Sequence, residues 1–235
     1  MLASGRRDGT LPTRREGSDV TPAPIPQGLV ECLQGPLPLP QPDRAKQLCD
    51  VFFNTIHPQY PILHQPTLVA KLEKASRGEA VERADTFQIF MVIAIGAVLL
   101  SQRHRVRLPA ESYCLSALEH LDAVNVENSV SGLQCLLLLL VFTMHCPNMK
   151  VNLWYLNYQC IATVLDLGLQ RDVRVGSPGI SLLDQELRTR LFWVVMMLDR
   201  RIATMMGRPI GLRDEACDLR VSTDVEMDIS ASGNC

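Results

Sequence analysis

Residues 183–206 read LDQELRTRLFWVVMMLDRRIATMM, the longest stretch of this chain that favours a helix. At about 100° per residue, one face of this helix carries apolar side chains: Leu187, Leu191, Val194, Leu198, Ile202 and Met205. A second face combines bulky and charged side chains: Glu186, Arg190, Trp193, Met197 and Arg200. Because both faces carry side chains that can pack, we predict that this helix lies between neighbouring elements. Gly207 and Pro209 end it.

Upstream of this helix, the apolar residues again recur at three- and four-residue spacing rather than at every second position. The predicted helices cover residues 43–57, 66–74, 85–101, 109–124, 129–145 and 153–167. Asp43 is the expected N-cap of the first helix, and Pro66 opens the second. The apolar runs 87–100 and 133–144 are shorter than the ~20 residues of a membrane span, so they indicate buried core helices. The predicted fold class is therefore all-α.

The two ends of the chain differ in composition from this helical region. Residues 1–42 contain eight prolines separated by Gly, Ser and Thr, which predicts a disordered tail. The chain as a whole has a formal net charge of −2, and this argues against nucleic-acid binding through bulk electrostatics. Local basic groups at 6–7, 14–15 and 103–107 are interpreted as solvated charge.

The eight cysteines do not have the spacing of metal ligands, since no two lie within four residues of each other. We interpret them as buried free thiols: Cys32, Cys49, Cys114, Cys135, Cys146, Cys160, Cys217 and Cys235. The N-terminus lacks the apolar segment of a signal peptide, which favours a reducing compartment.

The sequence carries no recognisable catalytic motif. It contains neither a glycine-rich phosphate loop nor a Gly-x-Ser-x-Gly turn. His57 and His64 could bind a metal together across a proline-rich turn, but we interpret them as polar caps of that turn. The acidic residues Asp214, Glu215 and Asp218 suit a helix start. An enzyme is the least favoured function.

Three ordered blocks resemble a known family. They are HPQYPILHQPT at 57–67, ATVLDLGLQRD at 162–172, and ELRTRLFW at 186–193 followed by LDR at 198–200 and GRP at 207–209. Together they are similar to the fungal-specific transcription factor domain, the middle homology region of fungal zinc-cluster transcription factors. One departure is Gln170, where the family often has His. The residues that carry the resemblance are His57, Pro58, Pro61, His64, Pro66, Asp166, Gly168, Arg171, Asp172, Glu186, Arg190, Trp193, Asp199, Arg200, Gly207, Arg208 and Pro209.

The resemblance implies an all-helical regulatory domain over residues 43–224, followed by a tail at 225–235, in a nuclear regulator of metabolic or secondary-metabolite genes. Family members usually carry an N-terminal six-cysteine zinc cluster that binds DNA. Here only Cys32 precedes residue 49. Zinc is therefore expected only if such a cluster is encoded upstream, and no cofactor is expected in this chain. The family domain also continues beyond Gly-Arg-Pro, so we expect a fold that is incomplete at its C-terminus.

The signature residues are interpreted as structural. Glu186 and Arg190 are spaced as an i,i+4 ion pair, and Asp199 is expected to pair with Arg171 or Arg188. The leading hypothesis is a regulator that acts through protein partners or self-association of a helical surface, meets DNA only indirectly and does not enter membranes. The alternative is a ligand-sensing domain with an effector between its helices.

Overall fold

The computed structural model describes residues 35–149, 151–171, 181–213, 215 and 217. Within these ranges the chain forms seven α-helices and two short 3₁₀ helices, and none of the described residues lies in a strand. The all-α prediction is therefore confirmed. The helices are α1 (Pro42–Thr55), α2 (Gln65–Ser76), α3 (Arg83–His104), α4 (Ala110–Leu118), α5 (Val130–His145), α6 (Leu153–Asp166) and α7 (Leu182–Met206), with the 3₁₀ helices at Leu121–Ala123 and Pro147–Met149.

Side-chain caps fix where the last three helices begin. Ser129, Asn152 and Ser181 each stand directly before a helix, and the side-chain oxygen of each accepts a hydrogen bond from the backbone N–H three residues further on. This contact satisfies one of the N–H groups that a helix start leaves unpaired. At the other end of α7, Gly207 adopts the left-handed conformation with φ 62°, as expected for a glycine after the last turn.

Helix α3 is the centre of the fold, with α1, α4 and α5 packed around it. It is longer than the predicted 85–101, because polar residues extend it at both ends. At 22 residues it is, among the described helices, the one long and apolar enough to cross a bilayer. However, most of its residues are buried inside the domain, as the sequence predicted for a core helix.

Helix α7 packs against α6 and α5 through the apolar face predicted from its periodicity. Leu191, Val194 and Leu198 on this face are buried. The second face, predicted to be covered as well, is covered only in part. Trp193 is half-buried, whereas Met197 exposes 39% of its surface.

The ordered domain begins earlier than the sequence predicted. Residues 35–41, assigned from their prolines to a disordered tail, form an extended segment that packs on α4. The backbone N–H of Leu37 donates to the Ser116 hydroxyl at 2.8 Å, and this hydroxyl donates to the Leu37 carbonyl at 2.6 Å. Gln41, rather than Asp43, occupies the cap position of α1. Residues 1–34 of the predicted N-terminal tail, the predicted tail at 225–235 and residues 172–180 lie outside the described residues.

Candidate functional site

The most deeply buried charged group among the signature residues is the Asp199 carboxylate on α7, which has no exposed surface. Its Oδ1 accepts a hydrogen bond from Asn157 Nδ2 on α6 at 3.0 Å. Its Oδ2 accepts two from backbone N–H groups after α7, those of Gly211 at 2.8 Å and Leu212 at 3.0 Å. We call these four residues the Asp199 cluster. It joins α6, α7 and the segment that follows α7.

The arginine partner expected for Asp199 is not in this cluster. Arg171 is exposed at the end of α6, and Arg188 donates instead to the Leu167 carbonyl at 2.8 Å. The expectation was wrong because neutral donors already satisfy the carboxylate oxygens. Burying a carboxylate is costly unless its oxygens are hydrogen-bonded, and main-chain N–H groups meet this need without a second buried charge.

Gly211 lets the segment after α7 lie close to the cluster. A Cβ on Gly211 would lie 2.6 Å from Ile161 Cδ1 and 3.3 Å from Asp199 Oδ1. A larger residue would therefore require the end of the Ile161 side chain to move, and it would crowd the carboxylate.

The Gly-Arg-Pro segment turns the chain towards this cluster. After the left-handed Gly207, the Arg208 N–H donates to the Ala203 carbonyl at 2.9 Å. The Arg208 guanidinium lies over the Trp154 ring of α6, 4.9 Å from its centroid. Such a cation–π contact is worth about 0.5–1 kcal/mol at exposed sites. Pro209 is exposed. The segment therefore folds back over α6, and the Asp199 cluster holds it there.

The first block forms the turn between α1 and α2. The half-buried His57 uses Nε2 in a 2.6 Å hydrogen bond with the Leu63 carbonyl, and its ring packs edge-on against Phe53. Burial lowers the pKa of His57, and the nearby Arg190 lowers it further. His64 pairs through Nδ1 with the Thr67 hydroxyl at 2.7 Å. Both histidines therefore make local hydrogen bonds at the turn.

The same turn contacts the second face of α7. The Tyr60 ring is buried, and its hydroxyl accepts a hydrogen bond from Arg201. Three turns earlier on α7, Arg190 approaches His57 and forms the predicted ion pair with Glu186 at 2.8 Å. The first block therefore meets α7 in space, although Tyr60 and Arg201 are 141 positions apart in the sequence.

The remaining signature residues have local roles. Asp166 is exposed at the last position of α6, and Gly168 follows it with φ 64°, as predicted for a helix end. Arg200 donates to the Met196 carbonyl within α7. Pro58 and Pro66 are exposed, and Pro61 is half-buried. Asp172 and the acidic positions 214 and 218 lie outside the described residues.

The sequence analysis did not find the partners of these residues. Asn157, Tyr60 and Arg201 were not singled out, yet each completes a contact of the signature blocks. A signal was present for Asn157, which lies one turn from Leu153 and from Ile161 on the apolar face of α6. A polar residue on such a face indicates a buried hydrogen bond.

Most of the described cysteines are buried free thiols, as predicted, but Cys217 is only partly buried. Burial raises the pKa values of Cys49, Cys114 and Cys135 to about 12, so their thiols stay protonated at neutral pH. Among the described residues, no group of three or more His, Cys, Asp or Glu side chains could hold a metal ion.

Comparison with known proteins shows to which family the chain belongs. The family model described as the fungal specific transcription factor domain matches residues 49–235. The chain belongs to this family. In this fungal-specific transcription factor domain, the first and third signature blocks meet where His57 lies near Arg190, and the second and third meet through the hydrogen bond from Arg188 to the Leu167 carbonyl.

Curated relatives of this fungal-specific transcription factor domain are regulators. The chain is 23% identical to the negative regulator of pleiotropic drug resistance STB5 of Candida glabrata, over 91% of the chain and 21% of the relative. It is 28% identical to the probable transcription factor FUP6 of Fusarium proliferatum, over 77% and 27%. It is 26% identical to the positive regulator of purine utilization of Emericella nidulans, over 74% and 22%. The chain thus spans about a quarter of these relatives. No solved structure matches it.

Proposed function

We propose that this chain is the regulatory region of a nuclear transcription regulator that controls metabolic or secondary-metabolite genes. The observation that carries the proposal is the Asp199 cluster. It joins the third signature block to α6 through hydrogen bonds that hold the helices together. The relatives named for drug resistance and purine utilization support a role in metabolic gene control.

We further propose that the region acts through protein contacts and binds no zinc or DNA sequence of its own. The outer face of α6 leaves large apolar side chains open to solvent, with Tyr155 64% and Leu165 43% exposed. Exposed apolar side chains grouped on one face mark sites of protein interaction. The formal net charge of −2 offers no general attraction for DNA. The buried, protonated thiols support a role that is not enzymatic.

A reporter assay tests this proposal. The full chain is fused to a heterologous DNA-binding domain and expressed in a fungal host, where we expect reporter transcription to rise or fall relative to that domain alone. Replacing Tyr155 and Leu165 with Ala should weaken the effect. The matched control is Gln159→Ala, at an exposed polar position of the same helix. An unchanged reporter with a stable, nuclear fusion would contradict the proposal.

A second candidate function is ligand sensing. One observation favours it: a cleft between α2, α3, α5 and the start of α7 is lined by two buried glutamines.

A further inference from the structure

This cleft, which we call the glutamine cleft, has a volume of 170 Å³. Gln88 of α3 and Gln134 of α5 line it, with side chains of Leu68 and Leu187 from α2 and α7. Cavities of ~150 Å³ lined by apolar residues bind molecules as large as benzene. The glutamine cleft therefore has room for one six-membered ring.

The two glutamines are held in place, and one of them keeps an acceptor for a bound molecule. Gln134 is 8% exposed and donates to the Ile62 carbonyl at 2.8 Å. Gln88 is 4% exposed and donates through Nε2 to Gln134 Oε1 at 3.3 Å and to the Ser131 hydroxyl at 3.1 Å. Its carbonyl oxygen Oε1 accepts no hydrogen bond from any described residue. An amide oxygen at a cleft that has no protein donor can accept a hydrogen bond from a bound molecule.

The charges beside the cleft disfavour an anion. Lys71, which lines it, forms an ion pair with Asp85 at 2.5 Å, so its positive charge is offset. The remaining charged side chain among the lining residues is the Asp184 carboxylate at the start of α7. A carboxylate ligand would meet that like charge, whereas a neutral donor would not.

We infer that the glutamine cleft binds a small, neutral molecule with an apolar body of about one ring and a hydrogen-bond donor such as a hydroxyl group. The donor pairs with Gln88 Oε1, and the apolar body packs on the leucines. This inference deepens the second candidate function, ligand sensing, and does not depend on the transcriptional role, because binding is measured on the purified chain.

Three ring compounds of one size test the inference: cyclohexanol, cyclohexanone and cyclohexanecarboxylate. Binding to the full chain is measured by ligand-observed saturation-transfer NMR with competition at millimolar concentration. We expect cyclohexanol to bind about 2- to 10-fold more tightly than cyclohexanone, the range that one neutral hydrogen bond gives. Cyclohexanecarboxylate should bind most weakly. The inference is overturned if cyclohexanol does not bind, or if the three compounds bind equally.

Two variants locate the binding. Gln88→Met removes the acceptor at similar volume and should abolish the preference for cyclohexanol. Leu183→Trp changes a side chain at the edge of the cleft that is already 48% exposed, so it should fill the opening without unfolding the core. It should reduce cyclohexanol binding at least 5-fold, even if Gln88→Met proves too unstable to purify. Gln102→Met, at an exposed position of the same helix as Gln88, is the matched control. Equal binding to the wild type and to Leu183→Trp would show that the site lies elsewhere.

Discussion

At the scale of single residues, the Asp199 carboxylate shows how this domain tolerates a buried charge. Its three hydrogen-bond donors are an amide side chain and two main-chain N–H groups. The Asn157 amide donates through its nitrogen, but its oxygen Oδ1 is buried without a partner among the described residues. That unpaired oxygen lets the amide rotate and present an acceptor instead of a donor.

This geometry separates two substitutions of Asp199. Asp199→Ala leaves one side-chain and two backbone donors unsatisfied, so we expect it to lower the free energy of unfolding by about 3 kcal/mol or more. Asp199→Asn should cost less than half as much, because an Asn157 amide rotated by 180° can accept from the new amide group. Urea denaturation followed by circular dichroism measures both. Equal losses for the two variants would show that the charge itself, rather than hydrogen bonding, is required.

His57 gives the domain a dependence on pH. Its pKa is lowered in the folded state, mainly by burial, so the unfolded state binds a proton more readily. Its contribution to stability is therefore complete above about pH 6.5, the ordinary pKa of histidine. It is lost as the pH falls from there towards the lowered pKa of the folded state.

We expect the wild type to lose more stability than His57→Gln between pH 7.5 and pH 5.5. Glutamine can still donate to the Leu63 carbonyl but does not titrate, which makes it the matched control. Denaturant midpoints at several pH values measure the difference, and an NMR titration of the His57 ring gives its pKa. Parallel stability curves for the two proteins would exclude His57 as the source.

At the scale of helices, α1 and α3 approach each other closely at Gly96. A Cβ on Gly96 would stand 2.2 Å from the Leu48 carbonyl oxygen, which belongs to the backbone of α1 and cannot rotate away. The glycine interrupts an otherwise apolar helix, where alanine would favour the helix by about 1 kcal/mol. Contact between the two helices therefore outweighs helix propensity at this position.

Gly96→Ala should consequently destabilise the domain, by about 1–3 kcal/mol as in other overpacked cores. Gly35→Ala is the control, since no atom lies within 4 Å of the Cβ it would add. Thermal or urea unfolding measures both variants. A Gly96→Ala protein as stable as the wild type would mean that α1 and α3 lie further apart than described.

Periodicity predicted the helices well because it reports which face of each element is buried. The apolar stripe of α7 and the glycine after α6 are local features, readable within one or two turns. The contacts of Asp199 could not be predicted in the same way. Asn157 precedes it by 42 residues, and the two N–H groups belong to residues whose side chains carry no signal. Residues 35–41 were assigned to the wrong class because prolines exclude a helix but do not exclude packing.

At the scale of the whole domain, the Ser116 hydroxyl links the N-terminal segment to α4. It bonds both backbone groups of Leu37, while Leu37 and Leu39 pack on the core. We expect this attachment to open without unfolding the helices, because residues 35–41 lie outside them.

Ser116→Ala should therefore release residues 35–41 and leave the rest intact. We expect faster hydrogen exchange at the Leu37 amide, with a loss of only about 1–2 kcal/mol in global stability. Thr143→Ala, whose hydroxyl bonds the Leu139 carbonyl within its own helix, is the control and should leave Leu37 protected. Unchanged exchange at Leu37 in Ser116→Ala would show that side-chain packing alone holds the segment.

The main-chain partners of Asp199 also bear on how far such a sequence can diverge. A carboxylate that binds backbone N–H groups places no chemical demand on the side chain of Leu212, and at position 211 it demands only space. Substitutions can therefore accumulate around Asp199 while the joint between α6, α7 and the following segment persists. Identities of 23% to 28% with the relatives are compatible with such a joint. It depends on the side chains of only three positions: one acidic residue, one amide and one glycine.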